Sequence, residues 1–190
     1  MLELKDEFVL YHGSYCEVKE PDLAKCAKRK DFGQGFGFYL TTSKEQAESF
    51  LRTSIVKAIA TGTLEEGQKF GYVSTFEFKT AGKLEMRIFE NADVDWLHCI
   101  AAHRKKKMFI EVEREMAKYD IIAGKIADDA TNATLTAYLA GVFGTVGDQE
   151  ADDFCIKQLL PNKLKDQYCF KTEAVIECLK FVKGEKIWLK

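Results

Sequence analysis

Phe38-Tyr39-Leu40-Thr41-Thr42-Ser43-Lys44-Glu45 is the stretch in which a short apolar strand gives way to a helix. Its first three residues are apolar or aromatic, which is typical of a strand. Thr42 and Glu45, three residues apart, fit a capping box at the start of a helix. Apolar residues then recur at helical spacing, so we predict an amphipathic helix over residues 43–60.

Further short strands and helices follow in irregular order. Apolar runs predict strands over residues 8–11, 72–78, 84–89, 119–123, 167–170 and 181–189, the last broken by Gly184. Helical spacing predicts a helix from the Asp93 cap to about residue 102, two helices between about 131 and 160, and a short one over 173–179. Thr80-Ala81-Gly82 indicates a hairpin between residues 72–78 and 84–89. Because helices and strands do not alternate regularly, the pattern favours an α+β fold over a doubly wound sheet.

Composition narrows the class of protein. The chain has 190 residues, only two prolines and no Ser- or Gly-rich tract, which predicts a single domain over residues 1–190. Its net charge of −2 argues against a nucleic-acid binder held by an overall positive field. A local basic patch stays compatible with that charge.

Two further classes of protein are disfavoured. No apolar run approaches the ~18–20 residues of a membrane span, and the acidic start Met1–Glu7 lacks the basic and apolar regions of a signal peptide. We therefore expect a cytoplasmic protein with no membrane partner. Six cysteines without a CxxC pair and three histidines without zinc-finger spacing predict no metal site.

Three segments carry side chains suited to chemistry. Tyr11-His12-Gly13-Ser14 ends the first strand, Gly33–Tyr39 is a glycine-rich lip, and Asp166–Phe170 brings a polar pair into an apolar strand. The lip has neither a Walker lysine nor a dinucleotide fingerprint, so it is not a common phosphate loop. Each segment taken alone also fits a structural role, as a locally bonded histidine, a tight turn or a locally bonded glutamine.

The order and spacing of these segments together resemble the ADP-ribosyltransferase superfamily, in the diphtheria-toxin and poly(ADP-ribose) polymerase branch with its His, Tyr and Glu signature. The chain looks closer still to a bacterial family of ADP-ribosyltransferase-like proteins of unassigned function. The shared motifs are Leu-Tyr-His-Gly-Ser, Pro-Asp-Leu, Lys-Asp-Phe-Gly, Phe-Tyr-Leu-Thr-Thr with Glu-Gln-Ala, Tyr-Asp-Ile-Ile and Asp-Gln-Tyr-Cys-Phe, at residues 10–14, 21–23, 30–33, 38–42 with 45–47, 119–122 and 166–170. The resemblance covers most of residues 8–182.

This resemblance implies a split two-sheet core with surrounding helices, and NAD as co-substrate. His12 would hydrogen-bond the adenosine-side ribose, and the backbone of Gly13, within the NAD-binding segment that ends at Ser14, would hold the nicotinamide carboxamide. Tyr39 would stack on the nicotinamide ring. Phe50, eleven residues further on, would close the other face without donating a hydrogen bond.

Two more positions are candidate NAD-binding residues, of which one matches the branch and the other begins a basic run. Ala47, eight residues after the tyrosine, leaves room beside the carboxamide. Arg104 opens the basic run Arg104–Lys107 and is the candidate ligand for the NAD pyrophosphate, because its planar fork matches phosphate oxygens. Two alternatives stay open: the basic run attracts an anionic acceptor such as nucleic acid, or it is a solvated helix end whose cations suit the helix dipole.

Gln167 stands where the branch has its glutamate, and this is the main departure. An amide keeps a hydrogen bond to the ribose hydroxyl, but it offers no charge to a developing cation and takes no proton from an acceptor. Polymer elongation is therefore disfavoured, whereas single transfer stays open. The entry of another acid into the site stays open as well, and the candidates are Asp120, Asp128, Asp129 and Asp166. In the lip, Phe36-Gly37 looks like a two-residue extension of the usual pattern.

The resemblance implies an NAD-dependent mono-ADP-ribosyltransferase in which His12, Tyr39 and Gln167 are the catalytic residues. The acceptor would be a macromolecule, either protein or nucleic acid. Members of the bacterial family resemble toxin or defence components, which implies a cognate antitoxin. Two alternatives stay open: an NAD glycohydrolase, in which water captures the ribosyl cation, and a catalytically weak module that binds NAD or ADP-ribose, which Gln167 favours.

Overall fold

The computed structural model describes residues 4–26, 29–30, 32–34, 37–80, 82–127 and 129–189. The strands are β1 (Phe8–Ser14), β2 (Arg29–Lys30), β3 (Gly33–Gln34), β4 (Phe38–Leu40), β5 (Phe70–Phe78), β6 (Met86–Ile88), β7 (Ile121–Lys125), β8 (Asp166–Phe170) and β9 (Leu179–Trp188). The helices are α1 (Lys44–Ser49), α2 (Leu51–Ala60), α3 (Val94–Arg104), α4 (Ile110–Met116), α5 (Asp129–Leu139), α6 (Gln149–Leu159) and α7 (Glu173–Ile176), with short 3-10 turns at Leu23–Lys25 and Pro161–Lys163. The α+β class predicted from the sequence is confirmed.

Two larger sheets and a small ribbon hold the strands. The first sheet has the order β1-β5-β9 and is antiparallel throughout. The second has the order β4-β8-β7-β6, in which only the β6–β7 pair is parallel among the described strands. Strands β2 and β3 pair with each other as the ribbon.

Among the described residues, one pair of backbone hydrogen bonds joins a strand of the first sheet to the chain just beyond a strand of the second. Tyr11 and Thr41 form an isolated antiparallel bridge, with N···O distances of 2.8 and 3.0 Å. The first sheet therefore meets the second at the point where β4 ends and the helical segment begins.

Aromatic side chains fill the space between the two sheets. Phe38 on β4 packs edge-on against Phe76 on β5, with ring centroids 5.6 Å apart. Phe78 packs in the same way against Phe170 on β8, at 6.0 Å. All four rings are buried, so this aromatic layer fixes the distance between the sheets.

A second core lies on the helical side of the four-stranded sheet, where α3, α5 and α6 pack. It includes Trp96, Ile122 and Cys169. Within it the buried Asp152 carboxylate contacts His98 Nε2 at 2.6 Å and accepts the hydroxyl of Tyr138 at 2.5 Å. Burial and this carboxylate raise the pKa of the Tyr138 hydroxyl above its usual range. The three side chains tie α3, α5 and α6 together.

No disulfide joins the six cysteines, all of which lie in the described part of the chain, and those at 99, 155, 169 and 178 are buried. Burial raises the pKa of the Cys155 thiol to about 12. This side chain therefore behaves as a small apolar group at neutral pH.

The predicted hairpin between residues 72–78 and 84–89 is wrong. Strand β5 belongs to the first sheet, whereas β6 pairs with β7 in the second. The backbone amide of Lys79 donates to the carbonyl of Cys178 and so continues the contact with β9 instead of turning back. Turn-forming residues at 80–82 thus mark a crossing between sheets, and Ala81 lies outside the described residues.

Three local predictions also change. The helix predicted over 43–60 is divided at Phe50 into α1 and α2, and its N-cap is Ser43 rather than Thr42, since the Ser43 hydroxyl accepts from the Gln46 amide. Gly184 does not break the last strand but pairs with Ser74 inside it, while the irregularity falls at Thr75/Phe76. In the sequence, the alternation of Glu111, Glu113 and Glu115 fits either one face of a strand or plain exposure, and the segment is instead the helix α4.

The other predicted elements are found close to their expected bounds: strands at 8–14, 121–125 and 166–170, and helices at 94–104, 129–139, 149–159 and 173–176. The Asp93 side chain accepts from the Trp96 amide and caps α3 as predicted. Within the described residues, no helix has both the length and the apolar character needed to cross a membrane.

Gly13 allows β1 to approach α1 closely, and replacing it should disrupt this contact. A Cβ at position 13 would lie 1.9 Å from the carbonyl oxygen of Ala47 and 2.8 Å from its carbon, both backbone atoms that cannot rotate away. We expect Gly13→Ala to lower the free energy of unfolding by about 3 kcal/mol, the upper part of the range for overpacking.

Urea denaturation measures this change, with Gly62→Ala as the control. At Gly62, φ is +69° and no atom lies within 4 Å of an added Cβ, so only backbone strain of about 1 kcal/mol is expected. Equal losses in the two variants would contradict the close approach of β1 and α1.

Candidate functional site

A cleft of about 630 Å³ opens where β1, β4 and β8 meet the helical segment α1–α2 and the end of α3. Its walls contain seven of the eight site residues predicted from the sequence, namely His12, Gly13, Tyr39, Ala47, Phe50, Arg104 and Gln167. Ser14 does not line the cleft, because its side chain is buried at the end of β1, opposite Tyr72. Side chains separated by up to 155 positions in the chain, from 12 to 167, are thus neighbours of one cavity.

His12 is held by the strand on the other side of the junction. Its Nδ1 lies 2.8 Å from the backbone carbonyl oxygen of Tyr39. Since a carbonyl only accepts, Nδ1 carries the proton, and Nε2 of the neutral ring is the acceptor atom. The ring of Phe38 packs on the imidazole with centroids 4.4 Å apart, which fixes its plane.

Tyr39 is anchored at its hydroxyl. The hydroxyl oxygen accepts from the backbone amide of Phe32 at 3.2 Å, and the Phe32 side chain is fully buried in the helical-side core. Glycine at position 37 belongs to the same arrangement, since a Cβ there would lie 2.6 Å from Cys169 Sγ and 3.3 Å from the Tyr39 ring. The half-buried ring of Tyr39 is therefore a fixed aromatic surface in the cleft wall.

Backbone atoms form the wall between β1 and α1. Gly13 lies against the carbonyl of Ala47, and the Ala47 side chain is buried. The two small residues let strand and helix approach more closely than larger side chains would allow. Any group that occupies this part of the cleft meets main chain rather than a mobile side chain.

Phe50 stands at the joint between α1 and α2. Its half-buried ring lines the cleft, and the Lys57 ammonium lies 5.6 Å from the ring centroid. Lys57 also lines the cleft, two helical turns after Phe50. This wall thus offers an aromatic face with a cation beside it.

Gln167 lies at the start of β8, where its backbone pairs with Gly124, and only 8 % of its surface is exposed. Its side-chain Nε2 forms no hydrogen bond with any residue the structure describes. A buried N–H group without a partner costs about 1–3 kcal/mol and is uncommon in folded proteins. Among the described residues that line the cleft, Gln167 Nε2 is the buried side-chain polar atom without a hydrogen-bond partner.

Arg104, the last residue of α3, lines the cleft. One guanidinium nitrogen donates to Asn132 Oδ1 at 3.1 Å and the other to the carbonyl of Ala127 at 2.7 Å. These contacts hold the planar group in place against α5. The neighbouring Lys105 instead donates to the carbonyl of Leu139 and does not line the cleft.

Of the four candidate acids, the two whose side chains are described, Asp120 and Asp166, do not line the cleft. Asp166 pairs with Lys125 at 2.7 Å. Asp120 accepts from the Glu85 amide and the Thr172 hydroxyl, at the other end of β8. Asp128 and the side chain of Asp129 lie outside the described residues, as do Gly35 and Phe36 of the glycine-rich lip.

The charge of the cleft is therefore positive along its described walls. Lys57 and Arg104 line it, and no Asp or Glu does among the residues given positions in the structure. Positive walls attract anionic groups such as phosphates.

Sequence reasoning did not single out several lining residues, among them Thr41, Gln46, Thr53, Lys57, His103 and Asn132. Lys57 had a detectable signal, because it lies seven positions after Phe50 and therefore on the same face of a helix. His103 is buried, and its Nδ1 donates to the carbonyl of Cys99 at 2.7 Å, a local bond that no sequence pattern reveals.

A family model described as a protein of unknown function, DUF3990, matches residues 8–181, and the chain belongs to this family. Neither a curated protein nor a solved structure was found to match the chain. The matched range contains every residue named in the cleft.

Gln167 is expected to reduce stability in the absence of a ligand. Replacing it by methionine, of similar length but without polar atoms, removes the unpartnered amide, so we expect Gln167→Met to raise the free energy of unfolding by about 1 kcal/mol.

Gln68→Met is the matched control in the same denaturation experiment. The Gln68 Nε2 donates to the carbonyls of Tyr15 and Phe70 at 2.7 and 2.8 Å, so its loss should destabilise the protein by about 1–2 kcal/mol. A destabilising Gln167→Met of the same size would show that the Gln167 amide is satisfied.

Proposed function

We propose that this cleft binds NAD and that the protein is an NAD-dependent mono-ADP-ribosyltransferase acting as a bacterial toxin or defence component. The observation that carries the proposal is the buried Gln167 amide, whose Nε2 has no partner among the described residues and which lines the same cavity as His12 and Tyr39. A ribose hydroxyl is a group that would satisfy it. The two sheets joined at one bridge are consistent with the split core of ADP-ribosyltransferases.

The cleft suits a dinucleotide in size and chemistry. Its volume of about 630 Å³ lies within the usual range for small-molecule and cofactor sites. Aromatic rings from Tyr39 and Phe50 offer stacking surfaces for a planar base, and Arg104 and Lys57 offer charges that complement a pyrophosphate. All four belong to the described walls of one cavity.

Each side chain then has a role that its geometry supports. His12 Nε2 would accept a hydrogen bond from the adenosine-side ribose, since Nδ1 already donates to Tyr39. The main chain at Gly13 would hold the carboxamide, with Ala47 leaving room beside it. Tyr39 would stack on one face of the nicotinamide ring and Phe50 would approach the other.

NAD supplies a glycosidic bond whose cleavage releases nicotinamide and leaves positive charge on the ribose. Gln167 would orient the 2′-hydroxyl next to that charge, but as a neutral amide it gives only a dipole to stabilise it. The proposed reaction is therefore a single transfer to an acceptor that is already a good nucleophile. The acceptor, protein or nucleic acid, would be met in the cytoplasm, and a cognate antitoxin would restrain the activity.

A binding module for NAD or ADP-ribose is the second candidate. The observation that favours it is the lack of any Asp or Glu among the described residues that line the cleft. Without a carboxylate, the site has weak means to stabilise a cation or to deprotonate an acceptor. Such a module would bind NAD without releasing nicotinamide.

Incubation of the purified protein with NAD labelled in the adenylate part, with and without cell lysate, separates these functions. Transfer gives a labelled macromolecule and free nicotinamide, and protease or nuclease treatment identifies the acceptor. Hydrolysis gives free labelled ADP-ribose and free nicotinamide, with no labelled macromolecule. Binding without nicotinamide release, measured by calorimetry, indicates the module, and the absence of both binding and release would refute the proposed function.

Substitutions in the cleft should reduce nicotinamide release. We expect His12→Ala and Gln167→Ala to lower kcat/KM by about 10- to 100-fold each, since each removes one polar contact to a ribose. Gln158→Ala is the matched control, because this glutamine is exposed on α6 and does not line the cleft. Equal activity in all three variants would place the reaction elsewhere.

Restoring a charge tests whether the amide limits the rate. Gln167→Glu places a carboxylate beside the developing cation, and we expect kcat for nicotinamide release to rise by about tenfold. Steady-state kinetics near neutral pH measure the change, with Asp166→Asn as a control that leaves position 167 intact. A fall in kcat for Gln167→Glu with unchanged folding would show that the amide itself is required.

A further inference from the structure

Thr41 lies where β1, β4 and β8 converge, directly beyond the end of β4. Only 6 % of its surface is exposed, and it lines the cleft. Its backbone exchanges two hydrogen bonds with Tyr11, the residue before His12. Two positions before Thr41, the backbone carbonyl of Tyr39 accepts a hydrogen bond from His12 Nδ1.

The Thr41 hydroxyl extends this junction to the third strand. Its Oγ1 donates to the backbone carbonyl of Asp166 at 3.0 Å and accepts from the amide of Ser43 at 3.2 Å. Asp166 immediately precedes Gln167, and Ser43 is the N-cap of α1. One side-chain oxygen is thus bonded both to the strand that carries Gln167 and to the helix that carries Ala47.

The regular strand pairing does not reach this far. Between β4 and β8 it joins Phe38 with Phe170, Tyr39 with Cys169 and Leu40 with Tyr168, and it stops there. The Gln167 side-chain Nε2 has no partner among the described residues to direct it. On the β4 side, the described hydrogen bond that holds the backbone next to Gln167 is therefore the one from the Thr41 hydroxyl to the Asp166 carbonyl.

We propose that Thr41 is a positioning residue, whose hydroxyl fixes the distance between Gln167 and the His12–Tyr39 pair. This inference rests on the proposed function for its catalytic consequence. A valine side chain has the shape of threonine without the oxygen, so the backbone bridge to Tyr11 survives while the links to the Asp166 carbonyl and the Ser43 amide are lost. Gln167 can then move relative to the nicotinamide-side ribose without any change in the stacking surfaces.

The kinetic test compares Thr41→Val with Thr41→Ser. We expect Thr41→Val to lower kcat for nicotinamide release by about 30-fold with KM changed less than twofold, because small displacements of a reacting contact cost up to about 100-fold in rate. Thr41→Ser keeps the hydroxyl and should retain kcat within about twofold.

Thr172→Val is the matched control. This threonine follows β8 at its other end and likewise donates its hydroxyl, to Asp120, and it does not line the cleft. We expect unchanged kcat for this variant. Wild-type kcat in Thr41→Val, or an equal loss in Thr41→Ser, would overturn the assignment.

A second measurement does not depend on turnover. In a proton–nitrogen correlation spectrum, the side-chain amide signals of Gln167 should shift in Thr41→Val and stay in place in Thr41→Ser and Thr172→Val. Unmoved signals in Thr41→Val overturn the positioning role even if the enzyme is active. Shifted signals in a protein that neither binds nor cleaves NAD support the positioning role while the proposed function fails.

Discussion

The two backbone hydrogen bonds between Tyr11 and Thr41 are the contact on which the site depends. They join a three-stranded and a four-stranded sheet along β1 and β4, and the aromatic layer of Phe38 and Phe76 keeps the sheets apart elsewhere. Where two sheets meet at one bridge and then diverge, a cavity opens between their ends. The cleft lies at this divergence, so its position follows from the topology and its chemistry from the residues beside the bridge.

Much of this arrangement was predictable from local signals. The Asp93 cap, the apolar spacing of α5 and α6, and the strand at residues 166–170 each follow from a pattern a few residues long. His12, Tyr39 and Gln167 were singled out by the order of motifs along the chain, and the structure gathers them around one cavity. Local patterns therefore indicated which segments form helices or strands and which side chains are candidates for the site.

Long-range pairing was not predictable in the same way. The composition of residues 80–82 favours a turn, but whether β6 folds back on β5 or crosses to β7 depends on which apolar faces are buried, and that is decided by distant residues. Likewise, the division of the helix at Phe50 has no counterpart in its apolar spacing. The hydroxyl of Thr41 donates to a carbonyl 125 positions away, and the residues next to Thr41 in the sequence give no sign of this contact.

The contact of Gly13 with Ala47 has a consequence for selectivity. Main-chain atoms have no rotamers, so this wall cannot widen for a bulkier ligand by turning a side chain aside. A ligand of the cleft would therefore meet a rigid boundary here, and a bulkier one would fit only if strand and helix separated. Such a boundary gives sharp exclusion of larger analogues together with little entropy loss when the fitting molecule binds.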